Sequence, residues 1–350
     1  MDQEKINQII RITIRFVKRK FLELHAATTG KRFYCLALSG ESDSSIAINC
    51  DMTVSCNCKD YDGTGHIGDL NSQSFEEVFG SPKANQFRRR LASGKLAIPT
   101  CASCSELRPI DAEKADQYVE NWHIPKKGIM VENTVACSYR CKSCSRMLVS
   151  RTRKAKRMSL SDIQKIATII QKHKINHICF LNLGDPFAAP DVYDQLRIIR
   201  EKNPNVSILT STNGILLDTD VKRDAALLVD HIDFSIDGIN DYTMRKYQRG
   251  ASFYKAYDNM KALVEYRNKR GKIKPRIEWK YILFNWNDRK KMVQQAIEMA
   301  RSANVDIISF VPTNVPVYGI SWRYHFKKFY KSLGETRWKG RQVCFVNAFA

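Results

Sequence analysis

The sequence of 350 residues lacks several features that would place it in a membrane, outside the cell or in a repeat family. No apolar run reaches the roughly 18–20 residues that a membrane-spanning helix needs. The first residues, Met1-Asp2-Gln3-Glu4, are acidic and lack the basic region that begins a secretory signal. Internal repeats and low-complexity segments are also missing. We therefore expect a cytoplasmic protein without a transmembrane segment.

Acidic residues are scarce relative to basic ones, with 36 Asp and Glu against 57 Lys and Arg, so the net charge is +21. The densest basic run, between Arg146 and Arg157, contains no acid. A basic surface favours anionic partners. We therefore expect an anionic substrate, either a small sugar-like molecule or an acidic peptide. Nucleic acid is a less favoured alternative, because no recognisable RNA-binding module is present.

Apolar and amphipathic segments alternate through the second half of the chain. Helical patterns lie near 159–173, 190–202, 218–229, 252–269 and 287–303, between six strand-like runs at 128–135, 177–183, 206–211, 231–236, 276–284 and 306–311. This alternation predicts an α/β fold built from parallel βαβ units. Polar residues and glycines follow several of the strands, and the carboxyl ends of parallel strands are where such folds place their sites.

Eleven cysteines in a chain without a secretory signal indicate metal ligands more readily than disulfides. Cys137, Cys141 and Cys144 follow the first predicted strand with Cys-x3-Cys-x2-Cys spacing. Three thiolates on one short loop can hold three irons of a [4Fe–4S] cluster and leave the fourth iron open. Structural zinc prefers four protein ligands. The nearest further thiol, Cys179, lies within an apolar run and is predicted to be a core cysteine.

This triad and three further elements resemble the signature of radical S-adenosylmethionine (SAM) enzymes, over roughly residues 128–312. The turn Gly184-Asp185-Pro186 is similar to the Gly-Glu-Pro element of that family, whose acid contacts the amino group of SAM. The segments Ser211-Thr212-Asn213-Gly214 and Ser235-Ile236-Asp237-Gly238 are similar to the elements after its third and fourth strands. Two residues depart from the family pattern. Asp185 is one methylene shorter than the usual Glu, and Ser143 stands where an aromatic residue is usual.

The resemblance implies a partial (β/α)6 radical SAM barrel over residues 127–312. It further implies that one electron, from a donor such as flavodoxin or ferredoxin, cleaves SAM at the cluster. The resulting 5′-deoxyadenosyl radical would abstract hydrogen from the substrate, and the cofactor would carry the difficult step. Cys137, Cys141 and Cys144 would hold the cluster. The implied SAM-binding residues are Gly184, Asp185, Pro186, Ser211, Thr212, Asn213, Ser235 and Asp237.

Residues 33–107 resemble the auxiliary-cluster modules called SPASM and twitch domains. The matching segments are Cys35, Ile48 to Cys56, Gly68-Asp69-Leu70, Ser74 to Phe79, and Cys101-Ala102-Ser103-Cys104. The resemblance implies a small α+β domain with an auxiliary [4Fe–4S] cluster on Cys35, Cys56, Cys101 and Cys104. Cys58 is an alternative to Cys56, and a zinc ribbon on the same four cysteines stays open. The module usually follows the barrel, whereas here it precedes it.

We therefore predict an amphipathic helix (1–29), an auxiliary-cluster domain (30–110), a linker (111–126), the barrel (127–312) and an aromatic, basic tail (313–350). The helix either packs on the protein or binds a membrane surface or a partner. Cys50 is expected to be structural, and Cys344 in the tail is either a core cysteine or a ligand. Two other functions remain open: RNA modification by the same radical chemistry, and a non-enzymatic, metal-stabilised binding protein.

Overall fold

The computed structural model describes the backbone of residues 3–324, 336–338 and 341–345, and the side chains of residues 13–324. The elements up to the end of the second barrel strand are α1 (Gln3–Thr28), β1 (Lys31–Cys35), α2 (Leu36–Ser39), β2 (Ala47–Ile48), β3 (Thr53–Ser55), β4 (His66–Asp69), α3 (Phe75–Phe79), α4 (Pro82–Ala92), β5 (Leu107–Asp111), α5 (Ala112–Ala115), α6 (Gln117–Glu120), β6 (Gly128–Val131), β7 (Arg140–Cys141), α7 (Arg146–Thr152), α8 (Leu160–His173) and β8 (His177–Phe180). The later elements are α9 (Val192–Lys202), β9 (Ser207–Thr212), α10 (Asp220–Ala226), β10 (His231–Ser235), α11 (Asp241–Arg245), β11 (Gln248–Arg249), α12 (Phe253–Lys269), β12 (Arg276–Leu283), α13 (Lys290–Ser302), β13 (Ile307–Pro312), β14 (Thr336–Trp338) and β15 (Arg341–Phe345).

All six strands and all five helices predicted for the second half of the chain are present. Their observed bounds differ from the predicted ones by a few residues at the ends. The predicted α/β fold with a cysteine-rich amino-terminal region is therefore confirmed. Its described residues fall into two compact units, one within Met1–Val135, Ser145–Gly184 and Ile198–Ser207, and the other within Ala136–Cys144, Asp185–Arg197 and Ile208–Ala350.

The first unit is built on a mixed sheet with the strand order β8-β6-β2-β3-β4. Strands β8, β6 and β2 pair in parallel, and the β2–β3 and β3–β4 pairs are antiparallel. Helix α8 begins at a capping box in which Ser159 and Asp162 satisfy each other's backbone amides. Its buried residues Ile163, Ile166 and Ile170 recur with helical spacing, so that one face of α8 packs in the core.

A buried ion pair in the first unit corrects the interpretation of the basic run. Arg153 is 2% exposed, and its Nε donates to Glu132 Oε1 at 2.9 Å. Arg153 Nη2 donates to Asn49 Oδ1 at 2.7 Å, and Asn182 Nδ2 donates to Glu132 Oε2 at 2.8 Å. Arg153 therefore cannot meet a substrate from solvent. Arg151 and Lys154 are exposed, as a substrate contact would require.

The second unit is built on parallel strands in the order β9-β10-β12-β13, with β15 parallel to β13 and β14 antiparallel to β15. On β10, Ile232 and Phe234 are fully buried on one face. The polar residues His231, Asp233 and Ser235 alternate with them and therefore lie on the other face. Among the described helices, none combines the length and the apolar character required to cross a membrane.

The polar face of β10 and β12 carries a charged network. His231 Nε2 lies 2.9 Å from Asp233 Oδ1 and 3.2 Å from Glu278 Oε2, and Lys280 lies 3.3 Å from Asp233 Oδ2. Burial alone lowers the pKa of His231, but the hydrogen bonds and charges of the two carboxylates outweigh it and raise the pKa to about 9. His231 is thus a cation at neutral pH, and the opposite charges on this face compensate one another.

Candidate active site

Backbone hydrogen bonds hold the loop that carries the cysteine triad. Cys141 in β7 pairs with Gln248 in β11, and the Lys142 amide donates to the Tyr247 carbonyl at 3.0 Å. The Cys144 amide donates to the Cys141 carbonyl at 3.1 Å. Burial, and then the charges of Asp237, Cys144 and Cys137, raise the pKa of the Cys141 thiol. Cys144 and Cys137 therefore lie close enough to Cys141 for their charges to act on its thiol.

Asp185 organises the side of the site next to Cys137. Its carboxylate accepts from Thr212 Oγ1 at 2.9 Å, from the Asn213 amide at 3.0 Å and from the Phe187 amide at 3.1 Å. The Asn213 side chain reaches onward, with its Nδ2 3.6 Å from Cys137 Sγ and 3.2 Å from Ser138 Oγ. Three sequence-predicted elements therefore converge at one place in the second unit. Gly184 directly precedes Asp185, and Pro186 opens the 3-10 turn Pro186–Ala188.

Because Asp185 is 3% exposed, burial raises its pKa, although the hydrogen bonds from Asn213 and Thr212 oppose the shift. Both carboxylate oxygens are occupied by donors of the chain itself. The amino group of SAM, which was expected to contact Asp185 directly, would therefore compete with these donors for the carboxylate oxygens. Through these bonds the Asp185 carboxylate connects the turn that begins at Pro186 with the Asn213 backbone.

A second group lies on the side of Cys141. Asp237 is 1% exposed, and its carboxylate accepts from the Ile282 amide at 2.9 Å. Burial raises the pKa of Asp237 to about 7. Ser235 Oγ lies 3.2 Å from Ser211 Oγ, and both side chains are partly exposed. These serines therefore have hydroxyls available to a ligand, whereas Asp237 is engaged with β12.

Sequence reasoning missed two residues that fix the Asp237 segment. Gln248 Oε1 accepts from the Asp237 amide at 3.0 Å, and its Nε2 donates to the Ser235 carbonyl at 2.9 Å. Asn287 is fully buried and donates to the Asp237 carbonyl at 3.0 Å. The backbone of Gln248 also pairs with Cys141, so one residue joins the cysteine loop to the end of β10. No spacing or motif singles out either amide.

The amino-terminal cysteines form a separate group in the first unit. Burial and then the charges of Cys104 and Cys101 raise the pKa of Cys35. Burial and then the charges of Cys35 and Cys101 raise that of Cys56. For Cys58, burial and the charges of Cys104 and Cys179 raise the pKa, against a lowering by Lys59. Two cysteines of the expected ligand set, Cys35 and Cys101, therefore act on Cys56, whereas only Cys104 of that set is among the main influences on Cys58.

The other cysteines have ordinary packing partners. Cys50 is fully buried, and its thiol donates to the Ala155 carbonyl at 3.2 Å. Cys179 is 9% exposed and lies 3.4 Å from His177 Nε2. Both places are consistent with the structural roles expected from the sequence. The side chain of Cys344 lies outside the described residues.

Comparison with known proteins agrees with this geometry. The chain matches the Radical SAM superfamily over residues 131–274 and the SPASM iron–sulfur cluster-binding domain over residues 35–105. The chain therefore carries a region that matches a Radical SAM domain and a region that matches a SPASM domain. The Radical SAM domain implies a [4Fe–4S] cluster at which SAM is cleaved. A SPASM domain implies auxiliary iron–sulfur clusters, and two groups of thiols are the donors such clusters require.

Individual relatives are distant. The FeMo cofactor biosynthesis protein NifB of Frankia alni is 25% identical over 185 residues, which are 47% of this chain and 36% of that protein. The chain thus spans about a third of the length of this curated relative. The crystal structure of Streptococcus suis SuiB bound to SAM matches with a TM-score of 0.48 and 12% identity, over 67% of this chain and 55% of that one. The crystal structure of Streptococcus suis SuiB bound to the precursor peptide SuiA matches with a TM-score of 0.49 and 12% identity, over 74% of this chain and 61% of that one.

If Asp185 acts by positioning, Thr212→Val should weaken SAM binding about as much as Asp185→Asn. Thr212→Val removes a hydrogen bond to the buried carboxylate, and Asp185→Asn replaces one accepting oxygen with a donor. A hydrogen bond to a charged group contributes roughly 1.5–3 kcal/mol, or about tenfold or more in affinity. The dissociation constant of SAM would be measured on anaerobically reconstituted protein, with an unchanged iron content as the control. A large effect of Asp185→Asn beside a negligible effect of Thr212→Val would instead assign Asp185 a direct contact with SAM.

Proposed function

We propose that this enzyme binds its SAM-cleaving cluster through Cys137, Cys141 and Cys144. When bound, the cluster supplies one electron to SAM, and the 5′-deoxyadenosyl radical that results abstracts hydrogen from an anionic sugar-like molecule or a peptide. The observation that carries the proposal is the contact of Asn213 with Cys137 on one side and Asp185 on the other. A structural metal site has no need for such a connection to two further strand ends.

The residues proposed around SAM have distinct tasks. Asp185 and Thr212 hold Asn213 against the cysteine loop, and Asp237 and Gln248 fix the end of β10 beside Cys141. Ser211 and Ser235 offer hydroxyls at the same strand ends. Gly184 and Pro186 shape the turn that presents Asp185. This arrangement orients a ligand on rigid strand termini, which is the protein's share of the work in a cofactor enzyme.

For the auxiliary cluster, we infer the ligands Cys35, Cys56, Cys101 and Cys104, in a SPASM-type domain on the amino-terminal side of the barrel. The mutual charge effects within this set support Cys56 over Cys58. Cys101 and Cys104 lie on the turn Pro99–Ser103 and at its end, with the Cys104 amide bonded to the Cys101 carbonyl at 3.2 Å. Four thiols from three segments, of which Cys56 is buried and the other three are partly exposed, fit a fully ligated [4Fe–4S] cluster.

An anionic substrate is favoured by the net charge of +21 and by the exposed Arg151 and Lys154. The reductant is proposed to be a small acidic electron carrier such as flavodoxin or ferredoxin, because a basic surface attracts acidic proteins. No described feature specifically favours RNA, so RNA modification is not proposed.

The test is anaerobic reconstitution with iron and sulfide, followed by a metal count and an assay for 5′-deoxyadenosine under strong reductant. We expect about eight irons per chain, since each cluster contains four, together with 5′-deoxyadenosine. About four irons with activity would reject the auxiliary iron–sulfur cluster and keep the enzyme. Bound zinc without 5′-deoxyadenosine would reject the proposed function.

A further inference from the structure

Helix α1 belongs to the first unit and packs on the rest of that unit through its polar side. Arg19 donates to the Leu96 carbonyl at 3.2 Å and pairs with Glu23 at 3.1 Å. Glu23 in turn accepts from the Leu96 amide at 3.0 Å, and Ala26 is 1% exposed. The face that packs on the protein is therefore the one that carries Arg19, Glu23 and Ala26. This is the reverse of the usual amphipathic arrangement, in which the apolar stripe is buried.

The apolar side of α1 lies in solvent. Ile14, Val17, Phe21 and Leu24 are 56%, 59%, 65% and 64% exposed. Their spacing of three, four and three residues is that of the a and d positions of a heptad. Ile10 continues the spacing in the sequence, although its side chain is outside the described residues. This spacing is that of a coiled-coil seam, and Phe16, which is 59% exposed, adds apolar surface beside it at a c position.

The residues beside this seam are basic and exposed. Lys18 occupies an e position and Lys20 a g position in the same heptad. Charges at e and g decide which helix pairs with which. Pairing of α1 with a second copy of itself would bring lysines against lysines. The chain's own residues 325–350 are similarly unsuited, since six Lys or Arg stand there against the single acid Glu335.

We propose that the seam of α1, defined by Ile14, Val17, Phe21 and Leu24, docks an acidic amphipathic helix of a partner protein. The partner helix carries apolar residues with heptad spacing and Asp or Glu at its flanking positions. Apolar contact would bury the seam, and the acidic flanks would pair with Lys18 and Lys20. An anionic membrane is the competing occupant for a basic amphipathic helix, and vesicles therefore form a separate arm of the test.

The probe is a fluorescein-labelled synthetic peptide of about four heptads, with Leu at a and d and Glu at e and g. Its anisotropy is titrated with the full-length protein. We expect saturable binding that weakens as salt rises, because salt screens exposed charge pairs. Phe21→Glu should weaken binding at least about tenfold, which corresponds to ~1.4 kcal/mol. A peptide with Lys at e and g should not bind.

Val221→Glu is the matched control, because Val221 in α10 is 59% exposed and the substitution changes the charge equally. Val221 belongs to neither the seam nor its basic flanks, and the control should bind the acidic peptide as the wild type does. Circular dichroism of both variants checks that α1 and the fold are retained.

Four outcomes would overturn the proposal. The first is no binding of the acidic peptide, and the second is equal loss in the two Glu variants. The third is binding to vesicles of phosphatidylglycerol and phosphatidylcholine without binding to the peptide, which would make the seam a membrane contact. The fourth is concentration-dependent self-association that Phe21→Glu removes, which would make the seam an interface between two copies of this chain.

Discussion

Replacing Cys137, Cys141 and Cys144 together with alanine is expected to abolish 5′-deoxyadenosine formation and to remove about four of about eight irons. The loss should be confined to one cluster, because these cysteines belong to the second unit and the proposed auxiliary ligands to the first. The fold should survive, since β7–β11 pairing and the Lys142–Tyr247 bond hold the loop without using a thiol. Iron analysis and the nucleoside assay measure the two effects on one preparation.

Two companion variants make the cysteine result specific. Cys179→Ala removes a buried thiol from β8 that is assigned to neither cluster, so the iron count and the activity should stay unchanged. Cys101→Ala with Cys104→Ala should remove the other four irons, about half of the total. If the triple variant retained 5′-deoxyadenosine, the radical would not arise at this loop. If it lost all eight irons, the two sites would not be independent.

The architecture could be predicted because the periodicity of a strand or a helix depends on residues that are close together in the sequence. The runs that became β8, β9, β10, β12 and β13 are short and apolar, and the helices between them repeat apolar residues every three or four positions. The first and last residues of each element were predicted less accurately, since capping residues and turns determine where a helix or strand ends. The first barrel strand, β6, for example, ends at Val131, although the predicted run extended to residue 135.

Side-chain partners could not be predicted in the same way, because they come from distant parts of the chain. Gln248, for example, binds the Asp237 amide through its side chain and pairs with the distant Cys141 through the β7–β11 backbone. Asp185 was expected to face SAM, yet its oxygens are used by Thr212 and Asn213, residues 27 and 28 positions away. Motif spacing identifies which residues approach the site, but it does not say which oxygen remains free for a ligand.

Helix α1 and the basic run illustrate a second limit of sequence reasoning. The amphipathic pattern of α1 was correct, but the pattern alone does not tell which face meets the protein. Likewise, six basic residues in a stretch of twelve suggest a solvated surface. Only the tertiary structure separates Arg153, which is buried against Glu132, from its exposed neighbour Arg151.

That distinction makes Arg153→Met a prediction with a large effect on stability. Glu132 has no exposed side-chain surface, and removal of Arg153 leaves its carboxylate buried without a counter-charge. Breaking a buried ion pair in this way lowers the free energy of unfolding by about 3–5 kcal/mol. Since a domain is stabilised by only about 5–15 kcal/mol in total, the first unit should unfold at markedly lower denaturant concentration. Urea unfolding followed by circular dichroism measures the change.

The double variant Arg153→Met, Glu132→Gln separates charge from packing. Because the neutral amide needs no counter-ion and can still bond to Asn182, it should recover a large part of the lost stability. Arg151→Met is the control, since this exposed arginine lies two residues away and its removal should change stability by less than about 0.5 kcal/mol. Equal, small losses in Arg153→Met and Arg151→Met would mean that the pair does not support the fold.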